Sequence, residues 1–108
     1  MQQAFDTKRR LEDRFPAEGA SAVVNGVTYK LQDWSVRGLA LTGYKIAHER
    51  GERLRAIIKI PKSYGGGGFE TGLFVVRGDP DIGLLAAVYV DYAREAAVTL
   101  DRLFPPDD

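Results

Sequence analysis

From Ser21 onward, apolar and polar residues exchange in short runs with a period near two, the pattern of half-buried strands. "SAVVNGVTYKLQDW" reads as two such strands around Asn25-Gly26, a dipeptide suited to a two-residue hairpin turn. A turn is predicted over Asp33 to Gly38, and "RGLALTGY" follows with Leu39 and Leu41 on one face. "GYKIAHERGE" reads as a loop with room for a helical turn. "RLRAIIKIP" alternates again, turning Leu54, Ala56, Ile58 and Ile60 to one side, and Pro61 ends it. Gly65 to Gly68 predicts a flexible link into "FETGLFVVRG", and Asp79-Pro80 turns the chain into "IGLLAAVYVDY". The period then changes. Between Tyr92 and Phe104, residues Ala93, Ala96, Ala97, Leu100, Leu103 and Phe104 share one helical face, and Pro105-Pro106 stops the helix.

Antiparallel strands with short turns, finished by one helix, predict a small β-barrel or closed sheet capped by a C-terminal helix. Residues 1–20 are polar and poor in β-branched side chains, and Pro16 and Gly19 argue against a helix through them.

At 108 residues, with 44% hydrophobic and 28% charged content, the chain has the size and balance of one globular domain. It holds no cysteine, which excludes disulfides and thiolate metal sites. No apolar run approaches the roughly 18 residues of a membrane span, and Met1 to Asp13 has no signal-peptide core, so a soluble cytoplasmic protein is expected. Fifteen basic and fifteen acidic residues cancel. A protein that rides on a DNA or RNA backbone normally carries a basic excess, so the balance favours a small, locally read ligand.

Catalytic chemistry is poorly provided for. The single histidine, His48, stands in a polar loop and reads as a surface residue without a role. No nucleophile–base arrangement and no HExxH spacing is present. The glycine run is not followed by Gly-Lys-Ser/Thr and leads into a strand, which excludes a phosphate cradle of that type.

Two short motifs remain. "KRRLEDRFP" crowds Arg9, Arg10 and Arg14 into six residues. With Glu12 and Asp13 among them, the cluster taken alone is equally an ordinary solvated, self-paired segment. "DWSVRG" sets Asp33, Ser35 and Gly38 as D-x-S-x-x-G, which is turn chemistry in its own right. The same spacing also brings a carboxylate and a hydroxyl together at a strand end. A carboxylate accepts the paired N–H donors of a guanine edge, and an arginine fork suits phosphate or guanine O6 and N7.

Taken together, Arg10-x-x-x-Arg14 and Asp33-x-Ser35-x-x-Gly38, separated by one hairpin, resemble the PilZ domain, the bacterial receptor for cyclic di-GMP. The order of "RFP", "QDWSVRGLAL", "GERLRAIIKIP", "LFVVRGD" and a closing helix extends the resemblance over most of the chain. The resemblance implies a six-stranded antiparallel β-barrel with a C-terminal helix over residues 21–108, preceded by a flexible N-terminal segment, residues 1–20, carrying the arginines. It further implies that Arg10 and Arg14, helped by Arg9, contact the phosphates and guanine faces of cyclic di-GMP. Asp33 and Ser35 would hold a guanine edge, and Gly38 would keep the turn open for the base. Such domains are non-catalytic adaptors that need no cofactor and relay the messenger to an effector protein in motility or exopolysaccharide machinery. A homodimer is compatible with the family.

The sequence departs from the family at three places. Trp34 replaces a usual aliphatic residue and is expected to be buried, not to stack on a base. Arg77 stands where a tryptophan often ends the strand; it is read either as a ligand contact or as a surface partner of Asp79. "IGLLAAVYVDY" lacks a clear Gly-x-x-Phe signature, which leaves the register near Ala86 to Tyr89 open. Two competing readings are a barrel of this fold that binds only protein, and an unrelated barrel for single-stranded nucleic acid. The second needs a positive groove with exposed aromatics, whereas Phe69, Phe74, Tyr89 and Phe104 fall on core-like positions.

Overall fold

The computed structural model describes residues 14–105. Strands β2 (Ser21–Val24) and β3 (Val27–Trp34) form the expected hairpin. Its turn has positive φ at both central residues, 51° at Asn25 and 80° at Gly26, the geometry whose twist matches that of the strands. Strand β4 (Gly38–Leu41) returns along the other edge of β3. Strands β5 (Arg53–Lys59), β6 (Gly68–Asp79) and β7 (Leu84–Val90) follow as an antiparallel meander. Because β2 pairs with β5, β7 with β4, and β3 with both β2 and β4, six strands close on themselves. The six-stranded antiparallel barrel expected from the sequence is present.

Alternation fills the interior. Ala22, Val24, Ala56, Ile58, Leu73, Val75, Leu85 and Ala87 point inward and are at most 2% exposed. The register of β7 is settled by its pairing with β6: Tyr89 lies opposite Leu73 and points inward, in series with Leu85 and Ala87.

The two barrel ends are closed differently. Helix α1 (Arg94–Leu103) lies across the end where β3 finishes and β6 begins, burying Ala96 and Leu100. Of the predicted helical face, Ala93 is exposed and serves as the N-cap. Trp34 is buried there, edge-on to Tyr64 at 5.5 Å and to Phe104 at 5.7 Å. The expected burial of its ring is therefore met. The opposite end is closed by residues 42–52, a loop tied down by Tyr44 N–H to Gly83 O and Gly51 N–H to Val75 O, both within 2.9 Å. Tyr44 is 1% exposed and packs on Tyr29.

Two expectations change. The glycine run is a hydrogen-bonded turn, not a flexible link. Gly65, Gly66 and Gly67 all have positive φ, which side chains resist. Gly66 N–H reaches Pro61 O, Ile60 N–H reaches Gly67 O, and Arg102 of the helix reaches Gly66 O. The packed structure also begins before residue 21. A two-residue strand β1 (Phe15–Pro16) pairs with Asp33 and Trp34, and Ala17 and Ala20 belong to the core.

Candidate ligand-binding site

The site is built where β3 ends. Register slips between Leu31 and Asp33 relative to β4, so Gln32 is a bulge. Strict alternation from inward Leu31 would turn Asp33 into the barrel and Trp34 out of it. The extra residue reverses both: Asp33 moves to the outer side and Trp34 into the aromatic cluster beneath the helix. One inserted residue thus seats the core tryptophan and presents the carboxylate.

Beyond Trp34 the chain turns. Ser35 N–H donates to Gly38 O at 2.8 Å, and Ser35 Oγ accepts from the amides of Arg37 at 3.1 Å and Gly38 at 3.3 Å. Ser35 is 4% exposed, and its oxygen is engaged in holding the turn. Gly38 is extended and paired with Val88. A Cβ there would run into the carbonyl oxygen of Ala87, so glycine is needed for the close approach of β7. On the side where a Cβ would stand, the room is filled by β7 backbone.

Phe15 pairs with Trp34, which sets the preceding residue, Arg14, beside the same turn. Arg14 Nη1 is 3.2 Å from Asp33 Oδ1, with side chains 42% and 24% exposed. The two are close enough for an ion pair, yet no N–H of Arg14 is aimed well enough for a hydrogen bond, and Oδ1 is a buried acceptor without one. An orphaned buried acceptor costs about 1–3 kcal/mol in general, which makes this oxygen a ready recipient for a donor. Arg9 and Arg10 lie outside the described residues.

A second bulge re-aims Arg77. The register of β6 on β7 slips between Val75 and Arg77, so Val76 and Arg77 both face out after inward Val75. The pairings then run Asp33 to Ala40, Ala40 to Ala86 and Ala86 to Arg77. Asp33 and Arg77 therefore occupy one lateral row on the outer face, with two alanines between them. Three strand spacings make that row about 14 Å long. Arg77 is also 3.9 Å from Asp79, with the arginine side chain 64% exposed, the geometry of a weak surface pair.

The structure assigns a partner set to His48, contrary to the expectation of a surface residue without a role. Its side chain is 12% exposed. Nε2 lies 2.8 Å from the Tyr44 hydroxyl and Nδ1 3.2 Å from Glu52, whose other oxygen accepts the amide of Glu49. A carboxylate only accepts, so Nδ1 carries the hydrogen. Backbone bonding to Glu49, then the bond from His48, lower the Glu52 pKa below its ordinary 4.5. Burial, reinforced by Tyr29 and Glu52, raises that of Tyr44. This network is at the end of the barrel opposite Asp33 and braces the loop. The i to i+4 spacing of Tyr44, His48 and Glu52 was its only sequence signal, and it is a weak one outside a helix.

Among the described residues, no cluster of three or more metal-ligating side chains occurs, and no helix is long and apolar enough to cross a membrane.

No sequence-family model and no curated protein sequence matches the chain. Solved structures do. The Bacillus subtilis inhibitor of motility, MotI/DgrA, matches with a TM-score of 0.68 at 20% identity, over 84% of this chain and 46% of that one. The PilZ domain of CeSA from a cellulose-synthesizing bacterium matches with a TM-score of 0.58 at 15% identity, over 85% of this chain and 94% of that domain. The chain therefore spans less than half the length of the first relative and nearly all of the second. It has the fold of PilZ domains.

Proposed function

We propose that this chain is a cyclic di-GMP receptor of the adaptor type, in which Asp33 and the arginines take the ligand and the N-terminal segment closes over it. The observation that carries this reading is the unbonded, buried Oδ1 of Asp33 facing the Arg14 guanidinium. A carboxylate with an unused acceptor suits the two N–H groups on a guanine edge, and a guanidinium beside it suits the adjoining phosphate. Arg10, one helical turn's worth of sequence before Arg14, supplies the second fork, with Arg9 as an auxiliary. Arg77, on the row of Asp33, is the guanidinium plane available to a second base or to the far phosphate. Ser35 and Gly38 act chiefly by shaping the turn that holds Asp33 in place, and the serine hydroxyl hydrogen is left for the ligand.

The ligand is a dianion, and closing a charged segment over it is the signal a partner protein would read. That one structural relative is an inhibitor of motility and the other a PilZ domain from a cellulose-synthesizing bacterium fits a role as a relay to motility or exopolysaccharide machinery.

Calorimetric titration of the purified protein with cyclic di-GMP tests the reading, beside Arg14→Ala and Asp33→Ala. Each charge-assisted contact contributes about 1.5–3 kcal/mol, so each variant should bind at least roughly ten-fold more weakly. The heat also gives the number of ligands per chain. Absence of heat and of any shift in melting temperature for the wild type would reject the receptor reading and favour a barrel that binds only protein.

A further inference from the structure

Two buried side-chain polar atoms lack a hydrogen-bond partner among the described residues: Asp33 Oδ1 and the Tyr89 hydroxyl. Both residues adjoin the Ser35–Gly38 turn that Arg14 flanks. Asp33 is its ion-pair partner on the outer side of the rim. Tyr89 comes from the inner side. Its amide donates to Arg37 O at 2.9 Å, so β7 runs beside the Ser35–Gly38 turn, while Arg14 reaches that turn from the other edge of β3. The Tyr89 ring packs edge-on to Phe69 at 5.6 Å, in series with Leu85 and Ala87. Phenylalanine would fill that place equally well. The hydroxyl adds a buried polar group to an otherwise apolar row, which needs a reason.

The phenol is neutral at any ordinary pH, because burial pushes its pKa up; the positive charge of Arg14 is felt at this oxygen and opposes the rise. A neutral hydroxyl both donates and accepts. A guanidinium has five N–H groups, and in the free protein none is well aimed at Asp33.

We propose that Tyr89 is a positioning residue for Arg14: when Asp33 turns its carboxylate to the ligand, the Tyr89 hydroxyl accepts an N–H of Arg14 and steadies the guanidinium towards the phosphate. This rests on the receptor reading and assigns that site a residue on its inner side. Among the described residues the hydroxyl has no partner in the free protein, and it becomes paired in the complex. Binding is thereby favoured by relief of an existing deficit as well as by new contacts.

The test is a double-mutant cycle with cyclic di-GMP as titrant, using wild type, Tyr89→Phe, Arg14→Ala and the double variant, with melting curves of each free protein. Tyr89→Phe should weaken binding about ten-fold or more, the effect of one hydrogen bond to a charged group. Its free form should melt at the same temperature or higher, since an unpaired buried hydroxyl has been removed. In the Arg14→Ala background the same change should have little further effect. Equal affinity of Tyr89→Phe and wild type would overturn the proposal, as would losses that simply add in the double variant. A lower melting temperature for free Tyr89→Phe would overturn it too, because the hydroxyl would then already be bonded. A wild type that does not bind removes the receptor reading itself, and the proposal with it; the wild-type titration alone separates that failure from the others.

Discussion

The two ends of the barrel each carry a small group of polar side chains, and the groups are in opposite states. At the loop end, Tyr44, His48 and Glu52 are joined hydroxyl to imidazole to carboxylate, and the carboxylate also takes the Glu49 amide. At the helix end, Asp33 and Tyr89 each leave a buried oxygen unbonded around a half-exposed arginine. A network with its donors and acceptors matched rigidifies what it touches. A group left short is costly unless something arrives to complete it. On the proposed reading the difference separates a brace from a receiving site, although histidine and glutamate would ordinarily attract more functional interest than a tyrosine in a hydrophobic row.

The harshest way to break the comparison is to remove the floor of the receiving end. Trp34→Ala should cost about 3–5 kcal/mol, the usual range for a buried large aromatic. Its indole touches Tyr64 and Phe104, and Phe104 stacks on Phe15 next to Arg14. Denaturant unfolding should show the loss, and ligand binding should go with it. Gly38→Ala comes next. The new methyl meets the Ala87 carbonyl, so β4 and β7 must part, at about 1–3 kcal/mol for a crowded core position.

A crossed pair of substitutions sharpens the contrast. His48→Ala should destabilise the protein by about 1–3 kcal/mol, because Tyr44 and Glu52 both lose a partner, and should leave cyclic di-GMP affinity unchanged. Asp33→Ala should do the reverse, with at least a roughly ten-fold loss of affinity and no loss of stability, since the carboxylate it removes carries a buried oxygen without a hydrogen bond. Melting curves and calorimetry on the wild type and both variants, with and without ligand, decide it. Equal effects of both variants on both readouts would abolish the distinction between the ends. Arg77→Ala should be milder. Its pair with Asp79 is long and exposed, so stability should move by at most about 1 kcal/mol, while affinity falls less than in Arg14→Ala.

What the sequence made legible follows the same physics. Alternation gave the strands, because side chains inside a small barrel have no second way to face the core. Asn25-Gly26 gave its hairpin because few other residues tolerate two positive φ values in succession. Asp33, Ser35 and Gly38 were recognisable as a group through their spacing. The bulges at Gln32 and Val76 were not, since one extra residue leaves no compositional mark and shows only as a slipped register. Yet those bulges put Asp33 and Arg77 on one outer row. Tyr89 was read correctly as a core position, but the want of a partner for its hydroxyl is a property of the packed interior. The glycine run was misread because the same residue serves mobility and forced positive φ alike. His48 was misread because its two partners come together only when the loop folds over the barrel.

The smallest effect tests the brace through its charge. Glu52 has a lowered pKa in the folded protein, chiefly because its carboxylate accepts the Glu49 amide and next because it accepts from His48. A depressed carboxylate contributes stability above its unfolded pKa, near 4.5, and that contribution is lost as pH falls through the lower folded value. Glu52→Gln keeps an acceptor oxygen at the same place and removes the charge, so it should lower the melting temperature slightly at neutral pH. As the medium is acidified below pH 4.5 the wild type should lose this advantage and the two melting curves should converge. Because the carboxylate is open to solvent, added salt should shrink the neutral-pH difference further. A gap between the two proteins that stays constant through the acid range would mean that the carboxylate is held by geometry alone. The loop end would then be braced by the Tyr44–His48 bond and the buried Tyr44 ring, with Glu52 contributing no charge-dependent stability.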